Sequence, residues 1–118
     1  MSLIGTAQLH LLERYMDLTA TRQALLVSNI ANVDTPGYHT RDIDFTGELA
    51  RATQQEDNAP TEPFVREVHG LNARPDGNNV SVDREGLLLS QVQLQFNAAS
   101  ALVKDQFKIL DMAIKSGG

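Results

Sequence analysis

Counting alternately three and four residues from Leu89 reaches Leu89, Val92, Phe96, Ala99, Val103, Gln106, Leu110 and Ala113, and seven of these eight positions are apolar. The spacing averages 3.5 residues, which is the period of a narrow coiled-coil seam and not the alternation of a strand. Asp83 is the expected N-cap, with Arg84 and Glu85 in the first turn, and Gly117 and Gly118 end the segment. A helix from Asp83 to about Lys115 is roughly 50 Å long. A compact chain of 118 residues is only about 35 Å across. The helix therefore overhangs any globule this chain can form. An overhanging helix with a narrow apolar seam exposes hydrophobic surface that a monomer cannot bury, and it requires a partner. The simpler alternative is an antiparallel helix hairpin that satisfies itself.

The same count from Leu9 gives Leu9, Leu12, Met16, Thr19, Gln23, Leu26, Ile30 and Val33, of which six of eight are apolar. It predicts a helix from Ile4 to Asn32, about 40 Å long. Its end is marked by Asn29, Asn32, Thr35, Pro36, Gly37 and Tyr38. Pro36 disfavours helical geometry at Thr35, and Gly37 offers a backbone conformation that other residues reach only with strain. Asn29 and Asn32 are three apart, hence neighbours on one helix face. Their amides are placed to bond the last carbonyls of the helix or the returning chain. An ordinary helix C-terminus with polar neighbours is the plainer reading of the same residues.

The middle is different material, punctuated by Pro60, Pro63, Pro75, Gly70 and Gly77. A short helix is expected over 46–55 and a polar loop over 54–62. Phe64–Val68 and Asn79–Val82 are expected to pair as a small hairpin with Pro75–Asn78 in the turn region. Arg41–Phe45 reads as an extended edge with its polar side chains outward. This stretch has too few large apolar residues to fold independently. The predicted fold is mainly α. Long N- and C-terminal helices, over 1–38 and 83–118, form a coiled-coil-like pair around a small irregular or β-hairpin insert over 39–82.

Charge and composition exclude several functions. Nine acidic residues and four arginines lie between Asp34 and Asp76, which accounts for the whole net charge of −5. No basic face exists to neutralise phosphates, so nucleic-acid binding is not expected. The absence of cysteine excludes disulfides and thiolate chemistry. No apolar run is long enough for direct membrane insertion, and the first residues lack the regions of a secretory signal. His10, His39 and His69 fall in separate segments without metal-ligand spacing. His39, Asp42 and Asp44 come nearest to a catalytic cluster, yet Arg41 and Ile43 interleave with them as in an edge strand. Asp76–Asn79 lacks the later ligands of a calcium loop. No catalytic residue, metal ligand or cofactor is expected, and the chain does not read as an enzyme. Gln91, Gln93, Gln95 and Asn97 give the last helix a neutral polar flank, which suits packing of like against like and equally a solvated face.

The run Ser28-Asn29-Ile30-Ala31-Asn32-Val33-Asp34-Thr35-Pro36-Gly37-Tyr38, preceded by Arg22-Gln23, resembles the N-terminal signature of the bacterial flagellar rod proteins. These belong to the axial family that also builds hook and filament. Gly77–Glu85, Gln93-Leu94-Gln95-Phe96 and Phe107-Lys108-Ile109-Leu110, with the short overall length, resemble the proximal rod members. Gly86 departs from the pattern, where a larger residue is expected. The resemblance implies many copies stacking helically into a hollow drive shaft that transmits torque and conducts exported subunits. The assembly interface would then include Leu9, Leu12, Met16, Leu26, Ile30, Val33, Leu89, Val92, Phe96, Ala99, Val103 and Leu110. It further implies a periplasmic position in the basal body, reached by type III export without a cleaved signal peptide. The implied partners are other copies of the chain, a FlgC-like rod protein, a FliE-like rod–ring adaptor and the MS ring. The competing reading, from a different class, is a helical adaptor or export chaperone that binds one flagellar or type III secretion partner.

Overall fold

The computed structural model describes residues 5–54 and 62–117. Ile4, most of the loop expected over 54–62 and Gly118 lie outside the described residues. The elements run α1 (Thr6–Ala31), β1 (Arg41–Ile43), α2 (Phe45–Gln54), β2 (Val65–Glu67) and α3 (Val82–Gly117). Chain extents of 68 × 28 × 17 Å and a radius of gyration of 18.3 Å exceed the roughly 13–14 Å of a compact domain this size. The helices set that length, since α3 has 36 residues and α1 has 26.

α1 and α3 pack antiparallel, with the end of α1 beside the start of α3. Leu18 and Leu26 on α1 are fully buried, and Val92 and Ala99 are buried on α3. The predicted stripe on α1 faces this seam: Leu26 is buried, and Leu9, Leu12, Met16, Ile30 and Val33 are half-buried. On α3, Leu89, Phe96 and Val103 are half-buried beside the fully buried Val92. Leu110 is exposed, because the partner helix has ended by that point. Leu18, fully buried, sits one position off the counted stripe. A globular helix buries a face wider than the strict seam of a coiled coil.

The start of α3 differs from expectation. Ser81, not Asp83, is the N-cap: its Oγ accepts the Arg84 amide at 3.3 Å, and its carbonyl accepts the Glu85 amide at 2.9 Å. A serine hydroxyl here reaches the third helical amide, and Asp83 and Glu85 then occupy the first turn, where the helix dipole favours acids. Gly86 lies inside the helix, and a Cβ added there would meet no atom within 4 Å. Gly86→Ala is expected to stabilise the chain by up to about 1 kcal/mol through backbone entropy alone. A higher urea midpoint with an unchanged slope is the check.

The insert contains two strands, but the pairing is not the expected one. β1 and β2 are antiparallel, with Arg41 opposite Glu67, Asp42 opposite Arg66 and Ile43 opposite Val65. Asn79 is bound elsewhere: its amide donates to the Tyr38 carbonyl at 3.2 Å, and its side-chain Oδ1 accepts the Thr40 amide at 2.7 Å. That leaves Phe64–Val68 to pair with the strand on the other side of α2. The expected short helix is present as α2, begun by Asp44, whose Oδ1 accepts the Gly47 amide at 3.2 Å. Tyr15 of α1 meets Phe45 edge to face at 5.2 Å.

Polar contacts dock the insert onto α1. Arg22 grips the buried Asp42 carboxylate through Nε and Nη2 at 3.0–3.2 Å. Asp42 thus points inward, against the expectation of polar side chains outward, because a bidentate partner satisfies it. Buried Glu48 accepts the Phe64 amide at 3.0 Å and pairs with Arg14 at 3.8 Å and with Arg51.

Candidate functional site

Two features stand out: the junction that ends α1 and the apolar surface that α1 leaves uncovered. The helix stops at Asn32, whose amide reaches back to the Ser28 and Asn29 carbonyls. Gly37 follows with φ +75°, the left-handed conformation in which glycine is unstrained. There its amide donates to the Asp76 carbonyl at 2.9 Å. Gly77, at φ +87°, lies so close that its Cβ would stand 3.3 Å from the Gly37 Cα. Two glycines let the two backbones touch.

Asn29 is fully buried and uses every hydrogen-bonding position it has. Its Oδ1 accepts the Tyr38 hydroxyl at 2.9 Å and the Arg41 amide at 3.1 Å. Its Nδ2 donates to the Arg41 carbonyl at 2.8 Å and to Glu85 Oε2 at 3.1 Å. One side chain therefore joins the end of α1, the returning chain and the start of α3. Asn32 works at shorter range. Its Nδ2 donates to the Ser28 carbonyl at 2.8 Å, and its Oδ1 accepts the Thr35 hydroxyl at 3.0 Å. The bonds foreseen for the two amides, to the helix end and the returning chain, are thus divided between them. Within the returning chain Asn29 holds Tyr38 by its hydroxyl and Arg41 by its backbone.

Several junction residues were not singled out from the sequence. Buried Asn78 donates to the Asn32 and Thr35 carbonyls at 2.9 and 2.8 Å, and its Oδ1 accepts the Val80 amide at 2.8 Å. Arg74 donates to the Val33 carbonyl. These side chains, from the far end of the insert, occupy carbonyls that the stopped helix leaves open. Glu85 is fully buried, with Oε1 accepting Arg84 Nη1 at 2.8 Å. The sequence signals for Asn78 and Asn79 were their place in the Asp76–Asn79 turn and in the Gly77–Glu85 run that resembles the proximal rod members, and neither pointed to these bonds. An acid at position 85 already had an ordinary explanation in the first turn of a helix.

The residues of the tentative catalytic cluster are drawn into separate roles. Asp42 faces Arg22, Asp44 begins α2, and exposed His39 pairs with Glu67 at 3.2 Å. Among the described residues no group of three or more His, Asp or Glu side chains is placed to hold a metal ion. Among the described residues, no helix is long and apolar enough to cross a membrane.

Beyond the overlap with α1, α3 carries exposed apolar side chains among its charged ones. Phe107 is 60 % exposed, Met112 and Ile114 are each 65 % exposed, and Leu110 is 42 % exposed. The outer face of α3 also carries exposed Leu87 and Leu94. No charged residue lies between Glu85 and Lys104. A helix without charges on any side over five turns has the composition of one packed on several sides, yet α1 covers only one. Near its middle, Gln95 Oε1 is buried with no hydrogen-bond partner among the described residues. It borders a groove lined by Leu11, Leu12, Tyr15, Leu49, Ala98 and Leu102.

Residues 16–39, which span most of α1 and the junction, match the profile of a family described as "Flagella basal body rod protein". The chain is 31% identical to the flagellar basal body rod protein FlgB of Escherichia coli K12, over 94% of this chain and 95% of that one. It is also 31% identical to FlgB of Salmonella typhimurium, over 95% of each chain. Similarity to FlgB of Borrelia hermsii is again 31%, over 89% of this chain and 93% of the relative.

Proposed function

Because the chain belongs to the FlgB family of flagellar basal-body rod proteins, we propose that the uncovered face of α3 is the surface through which copies join one another in the rod. The chain is a structural component of the basal body. The observation that carries the reading of its interface is the end of α3, where Phe107, Leu110, Met112 and Ile114 are all exposed. Full burial of one such side chain contributes roughly 1.5–3 kcal/mol, so four of them are comparable in size with the entropic cost of association. The unpartnered Gln95 acceptor beside an apolar groove is a further place for a neighbour, since buried acceptors ordinarily find a donor.

The contact we envisage is heterologous: a protruding helix end on one copy meets a different surface on the next. Contacts of that kind, when they do not close a ring, build open helical assemblies, which is the geometry of a shaft. At the ends of such a shaft the same surfaces meet other components. We assign these to a FlgC-like rod protein, a FliE-like adaptor and the MS ring. The role is mechanical, not catalytic, and the location is the periplasmic rod, reached by type III export without signal cleavage.

Purified basal bodies test this reading against the alternative of a helical adaptor or export chaperone. A rod subunit co-purifies stoichiometrically with the rod, and cells lacking it are non-motile with no shaft beyond the ring. Basal bodies that carry a complete shaft without this chain would favour the adaptor.

A further inference from the structure

The α1–α3 seam repeats every seven residues. On α3 Glu85, Val92, Ala99 and Gln106 are buried or half-buried at seven-residue spacing, and on α1 Leu12, Thr19, Leu26 and Val33 are so at the same spacing. A heptad seam of apolar and neutral residues carries little register information. Sliding one helix by seven residues, about 10 Å, again sets similar side chains opposite each other. The charge-free stretch between Glu85 and Lys104 offers no electrostatic resistance to such a slide.

Glu85 is the exception. It is the charged member of that inward row, it is fully buried, and its Oε2 accepts Asn29 Nδ2 at 3.1 Å. A slide of one heptad replaces it at that place with Val92. The Asn29 amide then loses an acceptor, and the carboxylate, which keeps Arg84 of its own helix, is carried to a place where no Asn29 donates to it. Each unpaired buried polar group costs about 1–3 kcal/mol, and more for a charge.

We propose that Glu85, with Asn29 as its receptor, sets the register within the helix seam, beside the Asn78 and Asn79 bonds that hold the chain entering α3 to the end of α1. A buried polar residue at one position of a helix seam is the best-attested way to fix register, and Glu85 is the charged one in a row whose other polar members, Thr19 and Gln106, are neutral. Because α3 outlasts α1, register also decides how far Phe107–Ile114 projects toward the next subunit. Only that last consequence rests on the rod reading; the register itself belongs to the single chain.

The chain has no cysteine, so introduced pairs carry spin labels without background. Ala20 on α1 and Lys108 on α3 are exposed and axially offset, and pulsed electron paramagnetic resonance on the full-length labelled chain reads the slide directly. The otherwise unaltered chain is expected to give one distance. Asn29→Leu combined with Glu85→Leu is expected to add a second population shifted by up to about 10 Å. Glu85→Gln, which keeps an acceptor for Asn29, is expected to restore the single distance. Glu85→Leu combined with Val92→Glu moves the carboxylate one heptad and is expected to move the main distance with it. A single unshifted distance in the leucine pair or in the relocated variant overturns the proposal. Loss of helix content in either variant also overturns it, because the network would then supply stability and not register.

Discussion

Asn29→Leu alone is expected to lower the unfolding free energy by about 3 kcal/mol or more, because four hydrogen bonds to one fully buried side chain are lost together. Leucine has the branched skeleton of asparagine, with bulkier methyl ends and none of its bonds. Glu85 Oε2, the Tyr38 hydroxyl and both backbone groups of Arg41 lose this partner at once, and Glu85 keeps Arg84 alone among the described residues. Against a total stability of about 5–15 kcal/mol, that is enough to leave a measurable unfolded fraction. Urea unfolding followed by far-ultraviolet circular dichroism gives the number. Glu85→Leu placed in the same chain is expected to recover much of the loss, since replacing both buried partners by apolar groups is often close to neutral. Asn32→Leu is the contrast: its two side-chain bonds lie at exposed positions, and a loss near 1 kcal/mol is expected. An Asn29→Leu chain as stable as the parent would show that the buried network is not what joins the three segments.

The second large effect concerns assembly. Phe107→Asp is expected to leave the monomer's melting curve unchanged, because Phe107 touches solvent over most of its surface. In the rod the same change removes roughly 2–3 kcal/mol of apolar burial and sets a carboxylate in its place. That weakens each subunit contact by more than about 100-fold, and contacts repeat along the shaft. Non-motile cells that still make and export the chain are the expected result. Phe96 and Val103, the positions the sequence pattern favours for such a test, are half-buried in the molecule's own seam. A charge at either one strikes folding as well as assembly. Motile cells with Phe107→Asp would remove the end of α3 from the interface.

The two helices were legible because their apolar period is sustained over many turns, and no strand or loop imitates that. The stop at Asn32 was legible because Pro36 and Gly37 restrict the backbone by covalent geometry alone. The strand pairing was not legible. Phe64–Val68 has equally strand-like neighbours on two sides, and the choice between them falls to Asn79, whose side chain takes the Thr40 amide. Asp42 was read as outward because its inward alternative depends on Arg22, a residue 20 positions away. Glu85 was hidden by a sufficient local explanation, the helix dipole, which masked its role across 56 positions of sequence. The uncovered surface was half visible. Helix length announced that α3 would overhang, but the stripe count selected the residues that face α1. It passed over Phe107, Met112 and Ile114, which face nothing in the single chain. Leu110 alone belongs to both sets.

A reconstruction of the intact basal body at side-chain resolution tests most directly whether that surplus surface is the subunit interface. Phe107, Leu110, Met112 and Ile114 are expected to be buried against neighbouring subunits, with α1 and α3 paired in the register that joins Asn29 to Glu85. Subunits whose contacts avoid the end of α3, leaving those four side chains in water, would contradict it.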